Sequence, residues 1–296
     1  MRRVTLLDGG MGQELLARSG DTPTPLWATQ VMRDHPGLVR EVHADYFAAG
    51  ATVATTNSYA IHHDRLAKAG IDRLFAGLHG QALAEARAAR DAHGSGRIAG
   101  SLGPLVASYR PETHPPHEEA VAKYAEIARL MAPQVDLILC ETVASLAHAR
   151  AVLEGAGAAG RPVWLSVTVD DEDGSRLRSG EPVAGLGAVL DGAAAVLANC
   201  SAPEAMAAAL AELAGFGLPF GAYANGFKAI TKDFLKDSPT VSALAPRPEM
   251  TPARYADFAL GWVAQGAGIV GGCCETGPAH IAEIASRLQE EGYQIA

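Results

Sequence analysis

Eight short runs rich in β-branched and apolar residues recur along the chain, each parted from the next by a longer stretch. This alternation restricts the fold more than any other feature. The strand-like runs fall at 4–8, 52–57, 97–101, 136–141, 163–169, 194–199, 219–224 and 268–273. Between them the clearest helical patterns cover 37–49, 72–92, 117–131, 145–156, 203–214, 252–265 and 278–291. Proline sits where a first helical turn accepts it, at Pro203, Pro252 and Pro278, and Thr251 is placed as an N-cap. Strands that alternate with helices form a parallel sheet. An open doubly wound sheet satisfies the pattern. The count of eight and a length of 296 residues fit a closed α/β structure better, a single (β/α)₈ TIM barrel occupying 1–296 as one domain.

Composition narrows the function. With 24 basic against 33 acidic side chains the net charge is -9, which argues against a nucleic-acid partner, since that needs a basic face. No run approaches the ~18 uncharged apolar residues of a membrane span. The opening MRRVTLLDGGMG lacks the apolar core of an export signal, so a cytoplasmic location is expected, where cysteines are more often thiols or metal ligands than disulfides. Neither GxGxxG nor GxxxxGK[ST] occurs, so no dinucleotide or P-loop site is expected. The polar segment 225–250 after the seventh strand reads as a surface loop in the position of a lid.

In a barrel of this kind the site is built at the C-terminal strand ends. Those ends read Asp8-Gly9-Gly10, Thr56-Asn57, Ser101, Cys140-Glu141-Thr142, Asp170-Asp171, Asn199-Cys200, Asn225-Gly226 and Cys273-Cys274-Glu275. Cys200, Cys273 and Cys274 would converge on one rim, and the glycines before Cys273 permit the irregular backbone that lets adjacent cysteines reach one ion. Three thiolates leave one tetrahedral position open, and soft sulfur selects zinc or Cu(I). Two other readings of the same residues are buried apolar cysteines and a vicinal disulfide between Cys273 and Cys274. Cys140, inside an apolar strand, reads as core. His35, His43, His62 and His63 have no ligand spacing and read as solvated surface.

GGCCETGPAHI at 271–281, the Asn199-Cys200 pair, LLDGGMGQEL at 6–15, the stretch 25–60 and Glu141-Thr142 together resemble the homocysteine S-methyltransferase family. That family includes betaine– and S-methylmethionine–homocysteine methyltransferases, and the likeness runs from the first strand to the eighth. The resemblance implies a (β/α)₈ barrel in which Cys200, Cys273 and Cys274 hold Zn²⁺ and the homocysteine thiol takes the open position. Asp8 and Glu141 would then bind the homocysteine ammonium. Gly9-Gly10 would let a ligand approach, with backbone amides near Met11 meeting its carboxylate. Trp27 and Tyr59 match positions beside the methyl donor. The betaine enzymes carry tyrosine where this chain has Thr142, which moves the expectation toward S-methylmethionine or S-adenosylmethionine. Two further departures are Leu197, where the family has glycine, and Ala224-Asn225, where it has proline-asparagine. Other readings are methylation of a related thiol or of a selenol such as selenocysteine or selenohomocysteine, and a non-catalytic metal-binding barrel. The sequence leaves the oligomeric state open.

Overall fold

The computed structural model describes residues 2–227 and 247–296; most of the 225–250 segment expected as a surface loop in the position of a lid, 228–246, lies outside the described residues. Eight parallel strands form the barrel: β1 Arg3–Leu6, β2 Val53–Thr55, β3 Arg97–Leu102, β4 Leu137–Val143, β5 Val163–Val167, β6 Ala193–Asn199, β7 Phe220–Ala224 and β8 Ile269–Gly272. Neighbours pair in parallel from β2 round to β8, with register shifts in the β4–β5 and β5–β6 pairs, and β8 pairs with β1. The ring is closed by a parallel bridge between Leu7 and Val53, with the Asp8 amide donating to the Val53 carbonyl at 3.1 Å. A ninth strand that the sequence does not advertise, β9 Gln294–Ile295, adds beside the start of β1.

Ten α-helices surround the strands among the described residues: α1 Met11–Ser19, α2 Ala28–Asp34, α3 Leu38–Ala48, α4 His63–Lys68, α5 Phe75–His93, α6 His117–Met131, α7 Leu146–Gly157, α8 Met206–Leu213, α9 Pro252–Ala264 and α10 Pro278–Glu290. The expected Thr251 cap is present, its hydroxyl accepting the Arg254 amide at 3.3 Å. The β5–β6 crossover carries no α-helix, only the 3₁₀ turn Val183–Ala188.

The core has two parts. One lies between strands and helices and includes Cys140, which is fully buried as expected of a core residue. The other fills the barrel interior with Leu7, Val53, Leu139, Trp164, Leu197 and Tyr223. Leu197 is therefore packing. Alternation along each strand carries this interior upward. Two residues beyond Leu139 is Glu141, beyond Leu197 is Asn199, beyond Val53 is Thr55 and beyond Ala99 is Ser101. The inward face thus turns from apolar to polar at the last layer, and that layer is the floor of a cavity.

Candidate metal and substrate site

The cavity opens at the C-terminal end of the barrel. Every site residue expected from the sequence lines it: Asp8, Gly9, Trp27, Tyr59 and Glu141, with Cys200, Cys273 and Cys274. Asp170 and Asp171 do not; Asp171 instead accepts from the Arg178 guanidinium at 2.7 Å and from the Ala202 amide at 2.8 Å.

The three sulfurs lie within 4.8 Å of one another. Tetrahedral bonds of roughly 2.3 Å to one ion would separate sulfurs by roughly 3.8 Å, so the donor set fits a metal such as zinc. Among the described residues no other cluster of three potential ligands occurs. The four cysteines are free, and no vicinal disulfide forms. Hydrogen bonds join the three thiols. The Cys200 thiol is held well below its ordinary range by hydrogen bonds from Cys273 and Cys274, aided by Tyr109 and Thr142. Cys273 and Cys274 are pushed up, chiefly by the same contact with Cys200.

Holding these sulfurs requires unusual backbone. Cys200 and Thr142 have φ of 51° and 58°, the left-handed region that costs a side-chain-bearing residue energy. Trp27 and Tyr109, at 49° and 62°, share it and also line the cavity. Asn199 compensates at Thr142, its Oδ1 accepting the Thr142 amide at 3.0 Å. Gly9 and Gly10 also meet a packing constraint that the sequence does not reveal. A Cβ on Gly9 would collide with the Thr276 carbonyl, and one on Gly10 would lie 2.7 Å from the Cys273 carbonyl. The glycines let the end of β1 lie flat against the cysteine loop. The Gly10 amide is already used, donating to the Thr276 carbonyl at 2.7 Å, so the free amides on this side belong to the first turn of α1.

Asp8 and Glu141 are buried carboxylates facing the cavity. Asp8 accepts the Thr55 amide at 2.7 Å and the Thr55 hydroxyl at 2.9 Å. Glu141 accepts the Ser101 hydroxyl at 2.5 Å and the Tyr223 hydroxyl at 3.1 Å. Burial raises Asp8 to about 7 and Glu141 to about 8, against which these hydrogen bonds work only in part. Among the described residues no Lys, Arg or His lines the cavity, so none of them neutralises two carboxylates and three thiols in its wall. Such a site attracts cations.

Sequence reasoning passed over Tyr109, Tyr223 and Thr55. Strand alternation could have found Tyr223 and Thr55. Tyr109 sits in an irregular loop after β3, and no periodicity points to it. The reading of four histidines as surface is half corrected. His35 and His63 are partly exposed and paired with Asp21 and Asp72, but His43 and His62 are buried, because α3 and the α4 start turn those faces inward. At the near edge of the polar segment, Phe227 packs against Cys200 and Tyr109, and the Gly226 amide donates to the Cys274 carbonyl at 2.8 Å.

Residues 5–288 match the family profile described as Homocysteine S-methyltransferase. This chain belongs to the homocysteine S-methyltransferase family. It is 34% identical to the homocysteine S-methyltransferase of Escherichia coli K12, over 96% of this chain and 95% of that one. It is 28% identical to homocysteine S-methyltransferase YbgG of Bacillus subtilis, over 96% and 94%. The crystal structure of the E. coli homocysteine methyltransferase MmuM in its metallated form superposes with a TM-score of 0.80 at 31% identity, covering 96% of each chain. Membership makes the protein an enzyme of methyl transfer to homocysteine. No helix among the described residues is long and apolar enough to cross a membrane.

Proposed function

We propose that this enzyme moves a methyl group from an onium donor, S-methylmethionine or S-adenosylmethionine ahead of betaine, onto the thiol of homocysteine to give methionine. Zn²⁺ would be held by Cys200, Cys273 and Cys274. The observation that carries this reading is the cavity wall, in which three convergent sulfurs face two buried carboxylates with no basic side chain among the described lining residues. When bound, zinc keeps the substrate thiol deprotonated at neutral pH, where a free thiol of pKa ≈ 8.5 is mostly protonated.

The chain's own residues do the rest. Asp8 and Glu141 accept the substrate ammonium, which restores their charged forms. The first-turn amides of α1 meet the carboxylate, as helix N-termini do. Held at both ends, the thiolate is aligned for in-line attack. Its sulfur forms the new bond to the methyl carbon. The bond from that carbon to the donor sulfur breaks, and the electron pair leaves with a neutral thioether. The thiol proton is lost to solvent.

A positively charged donor suits an acidic wall, whereas an anionic folate donor does not. Trp27 is the better aromatic partner for it, because the Arg65 guanidinium already lies 5.8 Å from the Tyr59 ring centre. Thr142, where betaine enzymes carry tyrosine, is tied to Asn199 and offers no ring to a quaternary ammonium. Three thiols kept free as ligands suit a reducing cytoplasm.

Incubating the zinc-loaded enzyme with homocysteine and each donor separately tests the reading. Methionine should form with a sulfonium donor and more slowly with betaine. A preference for betaine, or no methionine with any of the three, would overturn it.

A further inference from the structure

His43 on α3 is completely buried, and neither ring nitrogen has a hydrogen-bond partner. Buried polar groups nearly always have one. The Nδ1 atom stands 3.9 Å from Asp8 Oδ2, just beyond hydrogen-bond length, and Asp8 is the only carboxylate within 4 Å of the ring among the described residues. The helix is fixed one turn further on, where the Tyr46 hydroxyl lies 3.0 Å from both the Gly10 and Thr276 carbonyls. The imidazole therefore sits on a rigid mount directly behind a carboxylate that faces the cavity. Packing alone would be served by phenylalanine or leucine.

Burial keeps the ring neutral, with its pKa pushed down to about 4, so it has one N–H to donate. The groups facing the pair are Thr55 from β2, already bonded to Asp8, and Tyr46 from α3 itself. No charged side chain of α1, α5, α10 or β2 acts on the ring.

We propose that His43 is a positioning residue for the amino-acid handle: its Nδ1–H closes on Asp8 when that carboxylate is charged against the substrate ammonium, adding a third donor to the two from Thr55. This rests on the reading of Asp8 given under the proposed function.

The test uses zinc-loaded His43→Phe, His43→Asn and His43→Gln. An asparagine amide reaches the place of Nδ1, and a glutamine amide reaches that of Nε2. His43→Phe should raise the homocysteine KM roughly tenfold, the weight of one hydrogen bond to a charged group, with kcat little changed. The acid limb of its kcat/KM profile should move to higher pH. His43→Asn should restore most of the loss and His43→Gln should not. Unchanged KM and pH limb in His43→Phe, or equal behaviour of the Asn and Gln variants, would overturn the inference. A wild-type enzyme that fails to bind homocysteine would instead overturn the functional reading beneath it.

Discussion

Asn199 grips Thr142 from two sides, Oδ1 accepting its amide at 3.0 Å and Nδ2 donating to its hydroxyl at 3.1 Å. The same Oδ1 accepts the Ser166 hydroxyl at 2.9 Å. One buried amide thus ties the ends of β4, β5 and β6 together, between Glu141 on one side and Cys200 on the other. Asn199→Leu keeps the volume and leaves these partners unpaired, at about 1–3 kcal/mol for each buried group. The variant should melt several degrees lower and yield its metal to a chelator more readily. Melting curves and a zinc-competition titration check both.

Glu141→Gln keeps groups that can meet Ser101 and Tyr223 but removes the charge. Homocysteine affinity should fall by one to two orders of magnitude, as expected for about 1.5–3 kcal/mol in a hydrogen bond to a charged group. Zinc content should be unchanged, because the sulfurs are untouched. Calorimetric titration with homocysteine and metal analysis separate the two effects. An unaltered affinity would remove Glu141 from the ammonium site.

The raised carboxylates also predict a pH dependence of stability. Asp8 stands at about 7 in the fold against an ordinary 3.8, so folding favours its protonated form. That contribution is fully present below about 4 and is lost as pH rises through 7. Asp8→Asn removes the titration. In metal-free protein the variant should therefore gain on wild type as pH goes from 5 to 8, by about 1–4 kcal/mol. Glu141 is left in both proteins and enters the difference only through its electrostatic coupling to Asp8. Denaturant unfolding at the two pH values measures it.

Much of this was legible in the residues. All eight barrel strands were readable from their apolar runs, because strands buried on both faces leave continuous signals. The cysteine pair after Gly271-Gly272 and the Asn199-Cys200 pair marked the rim for the same reason that Asp8 and Glu141 did: each is a polar group at or just beyond the end of an apolar run. β9 escaped because two residues carry no period. Tyr109 escaped because its loop follows no repeat, and His43 because α3 looks amphipathic whichever way that one residue faces. The close approach of Gly9 to Thr276 escaped because that backbone comes from 267 residues away and only the closed barrel brings it there.

Cys273→Ala leaves two sulfurs, too few for a structural grip on zinc and the wrong set for an open fourth position. Purified variant should contain far less than one zinc per chain and make no methionine, whereas Cys140→Ala, a change in the outer core, should retain both. Metal analysis alongside the methionine assay decides this.

The account stands or falls on the substrate sulfur joining a metal already held by Cys200, Cys273 and Cys274. X-ray absorption at the zinc edge, recorded on the wild-type enzyme before and after adding homocysteine, reads this directly. The account predicts three sulfur neighbours at roughly 2.3 Å without substrate and four with it. A shell that contains fewer than three sulfurs, or that does not change when homocysteine binds, would contradict it.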